Sequence, residues 1–209
     1  MAITTLSNMS IQTAGPGTNS GLLMPKLKYR FRVSFEGFGV STTEAVQLTR
    51  QVVDVSRPKI GFEEIELPIY NSKVYMAGKY TLEPITLNLR DDASGNVVKL
   101  VGQQIQKQFD FFEQSGARSG IDYKFKTKIE ILDGGNGNLA AAVLETFELF
   151  GCFLQNADYG DLNYATNEAV QIALSIRFDS LIQSPVGVGT GTAIARTVTS
   201  LATGQGGVA

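Results

Sequence analysis

The clearest pattern of apolar and polar positions lies between residues 65 and 92. Ile85, Leu87 and Leu89 alternate with Thr86, Asn88 and Arg90, the period of two that a half-buried strand needs. Just before them Ile65, Leu67 and Ile69 alternate, followed by Val74 and Met76. The two extended runs meet at Ala77-Gly78, and Gly78 has the conformational freedom for a tight reversal there. Pro68 and Pro84 each remove a ladder donor, which places parts of the pair at a sheet edge or outside the sheet. The pattern predicts a long projecting hairpin near 65–90, an arm built to meet another chain.

The remaining pattern is mostly β. Leu27, Tyr29, Phe31, Val33 and Phe35 form the apolar face of a first strand, with Lys26, Lys28, Arg30 and Arg32 opposite. A second strand over 46–56 slips phase, which predicts a bulge near Val52. Val97, Val101, Ile105, Phe109 and Phe112 recur at helical spacing and predict one packed helix over 96–114, with Asp92 or Ser94 as its cap. Residues 121–131 alternate as a strand, Ile121, Tyr123, Phe125, Ile129 and Ile131 against Asp122, Lys124, Lys126, Lys128 and Glu130. Residues 143–154 are apolar at both parities, which predicts a strand buried on both faces. Val170, Ile172, Leu174, Ile176 and Phe178 form one face of a strand over 168–179. Together these predict a mainly β fold: an antiparallel sandwich or barrel of about seven strands with one helix.

Composition then removes several classes of function. The chain has 209 residues, enough for one domain with a real core, and a formal charge of −2. It contains no His, so it lacks the usual neutral-pH acid–base group and cannot build a Ser-His-Asp or Cys-His site. Its single cysteine, Cys152, excludes an internal disulfide and a Cys-cluster zinc site, and its apolar neighbours predict an inert thiol. Residues 1–10 lack the pattern of a secretory signal, so Asn8-Met9-Ser10 reads as a chance sequon. No apolar run approaches the ~20 residues a spanning helix needs. Residues 1–25 form an uncharged N-terminal arm. Residues 26–182 form the β domain, and 183–209 a Gly/Thr/Ala-rich C-terminal arm in which Ile194, Val198 and Leu201 have helical spacing.

Each candidate chemical motif has a simpler structural reading. The glycines of 187–191 have no Lys-Ser/Thr pair after them, so a flexible linker or docking tail is preferred to a phosphate loop. The Asp133-to-Asn138 stretch lacks the spacing of a calcium loop and reads as a turn. Lys26, Lys28, Arg30 and Arg32, with Lys124, Lys126 and Lys128, make basic stripes without interleaved exposed aromatics. They read as a solvated face, or one meeting an acidic partner, before a nucleic-acid groove. Asp91-Asp92 and Glu63-Glu64 point to opposite faces in an extended chain and do not converge. No catalytic site, metal or cofactor is expected. A ligand-binding β module or a carboxylate enzyme stands as the competing class to a self-assembling structural protein.

Two blocks carry a resemblance. Asn71-Ser72-Lys73-Val74-Tyr75-Met76-Ala77-Gly78-Lys79-Tyr80-Thr81 is similar to the hairpin motif of tail tube proteins from contractile-tailed phages. Phe147 to Phe153, then Gly160-Asp161-Leu162-Asn163-Tyr164, then 168–179, resemble the later strands and loop of the same family, in the same order. The resemblance spans roughly 29–181. It implies hexameric rings, stacked into a hollow tube whose sheets join edge to edge inside a contractile sheath, conducting the genome into a host cell. It implies a virion protein assembled in the host cytoplasm. Its partners are its own copies, sheath, baseplate and tail-terminator proteins, and DNA that passes without specific binding. The alternative is the inner tube of a phage-like injection or secretion system that passes protein. Asn71, Lys73, Tyr75, Gly78, Lys79 and Tyr80 are then expected at inter-subunit contacts, against the simpler reading of a hairpin folded back on its own domain. Both arms are expected on neighbouring subunits, and Lys124, Lys126 and Lys128 turned away from the bore.

Overall fold

A computed structural model describes residues 26–40, 48–133, 141–165 and 167–185. In chain order its strands are β1 (Phe31–Glu36), β2 (Val52–Val55), β3 (Ile60–Ile69), β4 (Ser72–Leu82), β5 (Ile85–Arg90), β6 (Phe109–Asp110), β7 (Ser115–Gly116), β8 (Phe125–Leu132), β9 (Val143–Asp158), β10 (Gln171–Arg177) and β11 (Ser180–Pro185). Among the described residues α1 (Asn96–Gln108) and α2 (Gly120–Tyr123) interrupt them, and residues 48–50 are also helical. The large sheet runs β1-β8-β9-β10-β5-β2, antiparallel throughout, with β11 also paired to β9. The expected mainly β antiparallel architecture is present, as a sheet that stays open between β1 and β2 among the described residues.

β9 is the strand that shapes the molecule. Its first half pairs with β8 and β11, its second half with β10. Between them Gly151 sits at φ +67°, where a Cβ would lie 2.3 Å from an Asp179 carboxylate oxygen. That kink exchanges the two faces of the strand. Phe147 and Leu149 are buried before it, Cys152 and Leu154 after it. The apolar residues at both parities therefore reflect a change of phase. The other face is half-buried, not buried, as Phe150 and Phe153 show. One half-sheet (β1, β8, the start of β9, β11) and another (the end of β9, β10, β5, β2) close around one core. Val33, Leu87, Leu89, Ile129, Leu149, Leu174 and Ile176 fill it.

Several elements differ from the sequence expectation. The strand over 168–179 has its apolar face buried from Ile172 to Phe178, as expected, but is shorter, and Val170 is exposed. Tyr29 lies in a turn and is 71% exposed, because β1 begins only at Phe31. Of the described residues 48–56 only Val52–Val55 is strand, with the register shift between Val52 and Asp54, while 48–50 are helical and bury Leu48. α1 stops at Gln108, since Phe109 is extended and Asp110 accepts hydrogen bonds from Phe112 and Glu113 N–H groups to form a turn. Val97 and Val101 are buried and Ile105 packs on the core, whereas Phe112 leaves the stripe and is 96% exposed. Neither expected residue is the N-cap: Gly95 holds that position, in the left-handed region at φ +69° and without a side-chain cap bond, while Asp92 accepts from Asn96 N at 3.0 Å and from Ser94 Oγ. Residues 120–123 are helical, so Ile121 is exposed and the strand starts at Phe125. β11 extends to Pro185, into the stretch read as the C-terminal arm. The turn after Asp133, the glycines at 187–191, the sequon and the helical spacing at 194–201 lie outside the described residues.

Candidate assembly surface

Among the described residues β3 and β4 form a two-stranded ribbon paired only with itself. It continues out of the β2–β5 pair, with Glu83 N donating to Lys59 O at the junction. The reversal is at Tyr70-Asn71, not Ala77-Gly78. Tyr70 takes φ +50° and Ser72 Oγ donates to Ile69 O at 3.2 Å. Ile85–Arg90 belongs to the core sheet, not the projecting arm. Gly78 instead lies in a β4 bulge, between the pairs Phe62–Tyr80 and Glu64–Ala77. A Cβ there would sit 3.1 Å from Glu63 O and 3.2 Å from Ile65 Cγ1. With ten residues in β3, the arm reaches about 33 Å at ~3.3 Å per residue.

The register assigns the two faces of the arm, because directly paired residues share a face. One face carries Phe62, Glu64 and Glu66 from β3 with Lys73, Tyr75 and Tyr80 from β4. Lys73 pairs with Glu66 at 2.6 Å. Asn71 is at the tip and Lys79 beside the bulge. All six residues expected at contacts therefore lie on the arm, but on more than one face. The opposite face, which the sequence reading left out, is apolar: Ile65, Leu67, Ile69, Val74 and Met76, each 42–53% exposed. An alternating apolar run reads as core-facing, and nothing in its own pattern says that no core lies beneath it.

Most of the charge on the basic stripes is neutralised within the chain, while Arg30 lies over the Tyr29 ring. Arg32 donates to Glu130 at 2.6 Å, and Lys128 reaches the same carboxylate at 2.8 Å. Lys126 lies 3.4 Å from Glu148 and 3.9 Å from Glu36. Three cations thus meet three carboxylates in a ladder across β1, β8 and β9. Lys124 pairs with Asp179, which holds its ammonium above the ordinary lysine range. Burial would raise Glu130, but the bonds from Lys128 and Arg32 outweigh it and keep the carboxyl below its ordinary value. Lys26 similarly bonds Glu145 at 2.6 Å. The ladder pairs its cations internally and leaves none of them over to match a phosphate backbone.

No constellation for chemistry appears among the described residues. The Asp92 carboxylate is occupied by Asn96 N and Ser94 Oγ, and no group of three His, Cys, Asp or Glu side chains is placed to hold a metal ion. Cys152 is buried, which pushes its thiol pKa up, and its Sγ lies 3.4 Å from Leu149 O. No described helix is long and apolar enough to cross a membrane.

No family model and no curated protein sequence matches the chain. Among solved structures, it is similar to a chain of the anti-feeding prophage baseplate at TM-score 0.57 and 15% identity, covering 80% of this chain and 100% of that one. A chain of the sheath–tube complex of an extracellular contractile injection system, PVC, has TM-score 0.55 and 16% identity, covering 78% of this chain and 93% of that one. A chain of the anti-feeding prophage tube-terminating cap has TM-score 0.60 and 15% identity, covering 83% and 100%. The β domain thus shares its fold with chains of contractile, phage-tail-like particles.

Proposed function

We propose that this chain is the structural, non-enzymatic subunit of a hollow tube inside a contractile sheath, built from stacked hexameric rings. The observation that carries the reading is the β3–β4 arm, whose apolar face is left about half exposed among the described residues. A two-stranded ribbon alone is marginally stable in water, and an apolar patch on it favours a partner. Open sheet edges at β1 and β2 suit a chain that completes itself by pairing with copies. Asn71, Lys73, Tyr75, Lys79 and Tyr80 then contribute to contacts between subunits, and Gly78 acts by shaping the arm. Sheath, baseplate and terminator proteins are its partners in the particle, and both terminal arms lie on neighbouring subunits. Electron microscopy and sedimentation of the purified chain at micromolar concentration test this. Rings or tubes are expected, and a chain that stays monomeric at every concentration, with baseplate added, overturns it.

In the first reading the tube conducts a genome, as in a phage tail. The similarity in fold to chains from injection particles favours a second reading, in which the cargo is protein. A protein and nucleic-acid inventory of the native particle decides between them. A filled capsid with DNA supports the first, and a capsid-free particle carrying protein supports the second.

A further inference from the structure

Beyond its kink, β9 is paired unequally on its two sides. β10 accompanies one side from Phe153 to Asp158. On the other side β8 reaches only Cys152, opposite Phe125, and among the described residues no strand continues past it. Residues 153–158 therefore border an open edge, and such an edge is a template for a strand from another chain. Two adjoining open grooves of about 490 and 260 Å³ lie beside it. Gln108, Gln155 and Asn156 line them together with Phe109, Phe153 and Ala157, so the space borders amide groups as well as apolar ones. An extended main chain, with its own donors and acceptors, suits such a mixed wall.

One residue interrupts this template. The Gln108 side-chain amide accepts from Leu154 N at 2.8 Å and donates to Leu154 O at 3.0 Å. Those are the two bonds that one residue of an adjacent antiparallel strand exchanges with its partner. Gln108 is the last residue of α1, a helix anchored by buried Val97, Leu100, Val101 and Gln104. Its own carbonyl accepts from Ala117 N at 3.4 Å. The amide is thus delivered by a fixed helix end. The ladder also stops there, because the next residues, Phe109 and Asp110, pair with Ser115 and Gly116 instead of with β9.

We infer that Gln108 is a stopper on the outer edge of β9: it fills the strand position beside Leu154 and prevents a second copy of this chain from adding a strand there. The inference goes beyond the assembly reading, since it concerns the isolated chain and holds whether or not rings form. Gln108→Leu tests it, keeping the bulk of the side chain and removing both bonds. Sedimentation should show oligomers of this variant at a concentration at least about tenfold below that at which the wild type leaves the monomer, the equivalent of one or two main-chain bonds gained by an added strand. Amide exchange identifies the cause. Leu154 N–H exchanges faster in the variant monomer than in the wild type, and is protected again in the variant oligomers, where a strand supplies the lost acceptor. Gln104→Leu is the control, because it disturbs the same helix away from the edge and leaves the concentration for association unchanged. Where Gln108→Leu does not fold, Gln108→Asn carries the test, with the amide kept but one methylene too short to reach Leu154. Variants at 108 that associate no more readily than Gln104→Leu overturn the stopper. So do variant oligomers in which Leu154 N–H exchanges as fast as in the monomer, since loss of stability alone then drives them together.

Discussion

Gln104 shows how much one buried polar residue can hold in a fold of this size. Its side chain is fully buried on α1, accepts from Gly39 N at 3.1 Å and donates to Tyr123 O at 2.6 Å. It thus joins the turn after β1, the helix and the lead-in to β8. Gln104→Leu keeps the volume and orphans both backbone groups, so it should cost about 2–4 kcal/mol in chemical denaturation, the sum of two unsatisfied polar groups. A loss under 1 kcal/mol would show that water replaces the amide. Glu145 works differently. Burial would raise its carboxyl, but bonds from Lys26 and Gln183 hold it below the ordinary 4.5. Its contribution is complete above that ordinary value and is lost as pH falls through the lowered folded value. Stability of the wild type should therefore fall more steeply than that of Glu145→Gln as pH is taken below about 4.5, measured by urea midpoints at constant salt. Equal slopes would remove Glu145 from the acid response.

At the scale of the element, Gly151 is the decisive position. Gly151→Ala forces a side chain into the left-handed region against Asp179, which Lys124 holds in place. The expected cost is about 2 kcal/mol or more, with the loss concentrated in amide exchange protection of β9 and β11. Protection unchanged across Cys152 and Leu181 would mean that the kink is not needed. This element also explains what could be read from sequence. β5 and β10 were legible because one face of each stays buried for its whole length. β9 was legible as a strand and misread in its faces, because the pattern carries no mark of a phase change beyond one glycine. The arm was legible as an arm. Its turn was not, since Tyr70 occupies the position where a glycine is expected and Gly78 serves a bulge. The α1 boundary failed for a related reason. Phe109 continues the helical spacing but is drawn into the small β6–β7 hairpin. The groove beside it was invisible because its walls come from four separated stretches of chain.

For the whole molecule, the question is which face of the sheet looks into a tube. In the proposed tube, the half-sheet that ends in the arm on one side and the outer edge of β9 on the other would be the one joined around a ring. Its inner face packs the core, so its outer face is the bore wall when the other half-sheet lies outside. That outer face is formed by Thr86, Asn88, Ala173, Ser175 and Asn156, with Asp54, Arg90, Arg177 and Asp158 balancing in charge. It offers small polar groups and no fixed excess charge, so it neither holds a polyanion nor binds an unfolded apolar segment. The ladder of Arg32, Lys126, Lys128, Glu36, Glu130 and Glu148 then faces outward, toward the sheath. Single cysteines report the orientation directly, since native Cys152 is buried and silent. In assembled tubes Ser175→Cys should react with a small maleimide and be protected from one carrying a long polymer chain. Ser34→Cys, on the ladder face, should take both in tubes without sheath. Protection of Ser34→Cys with free reaction of Ser175→Cys would turn the subunit around. The charged ladder would then line the bore, and passage would depend on salt, with cargo slowed at low ionic strength and released as screening increases.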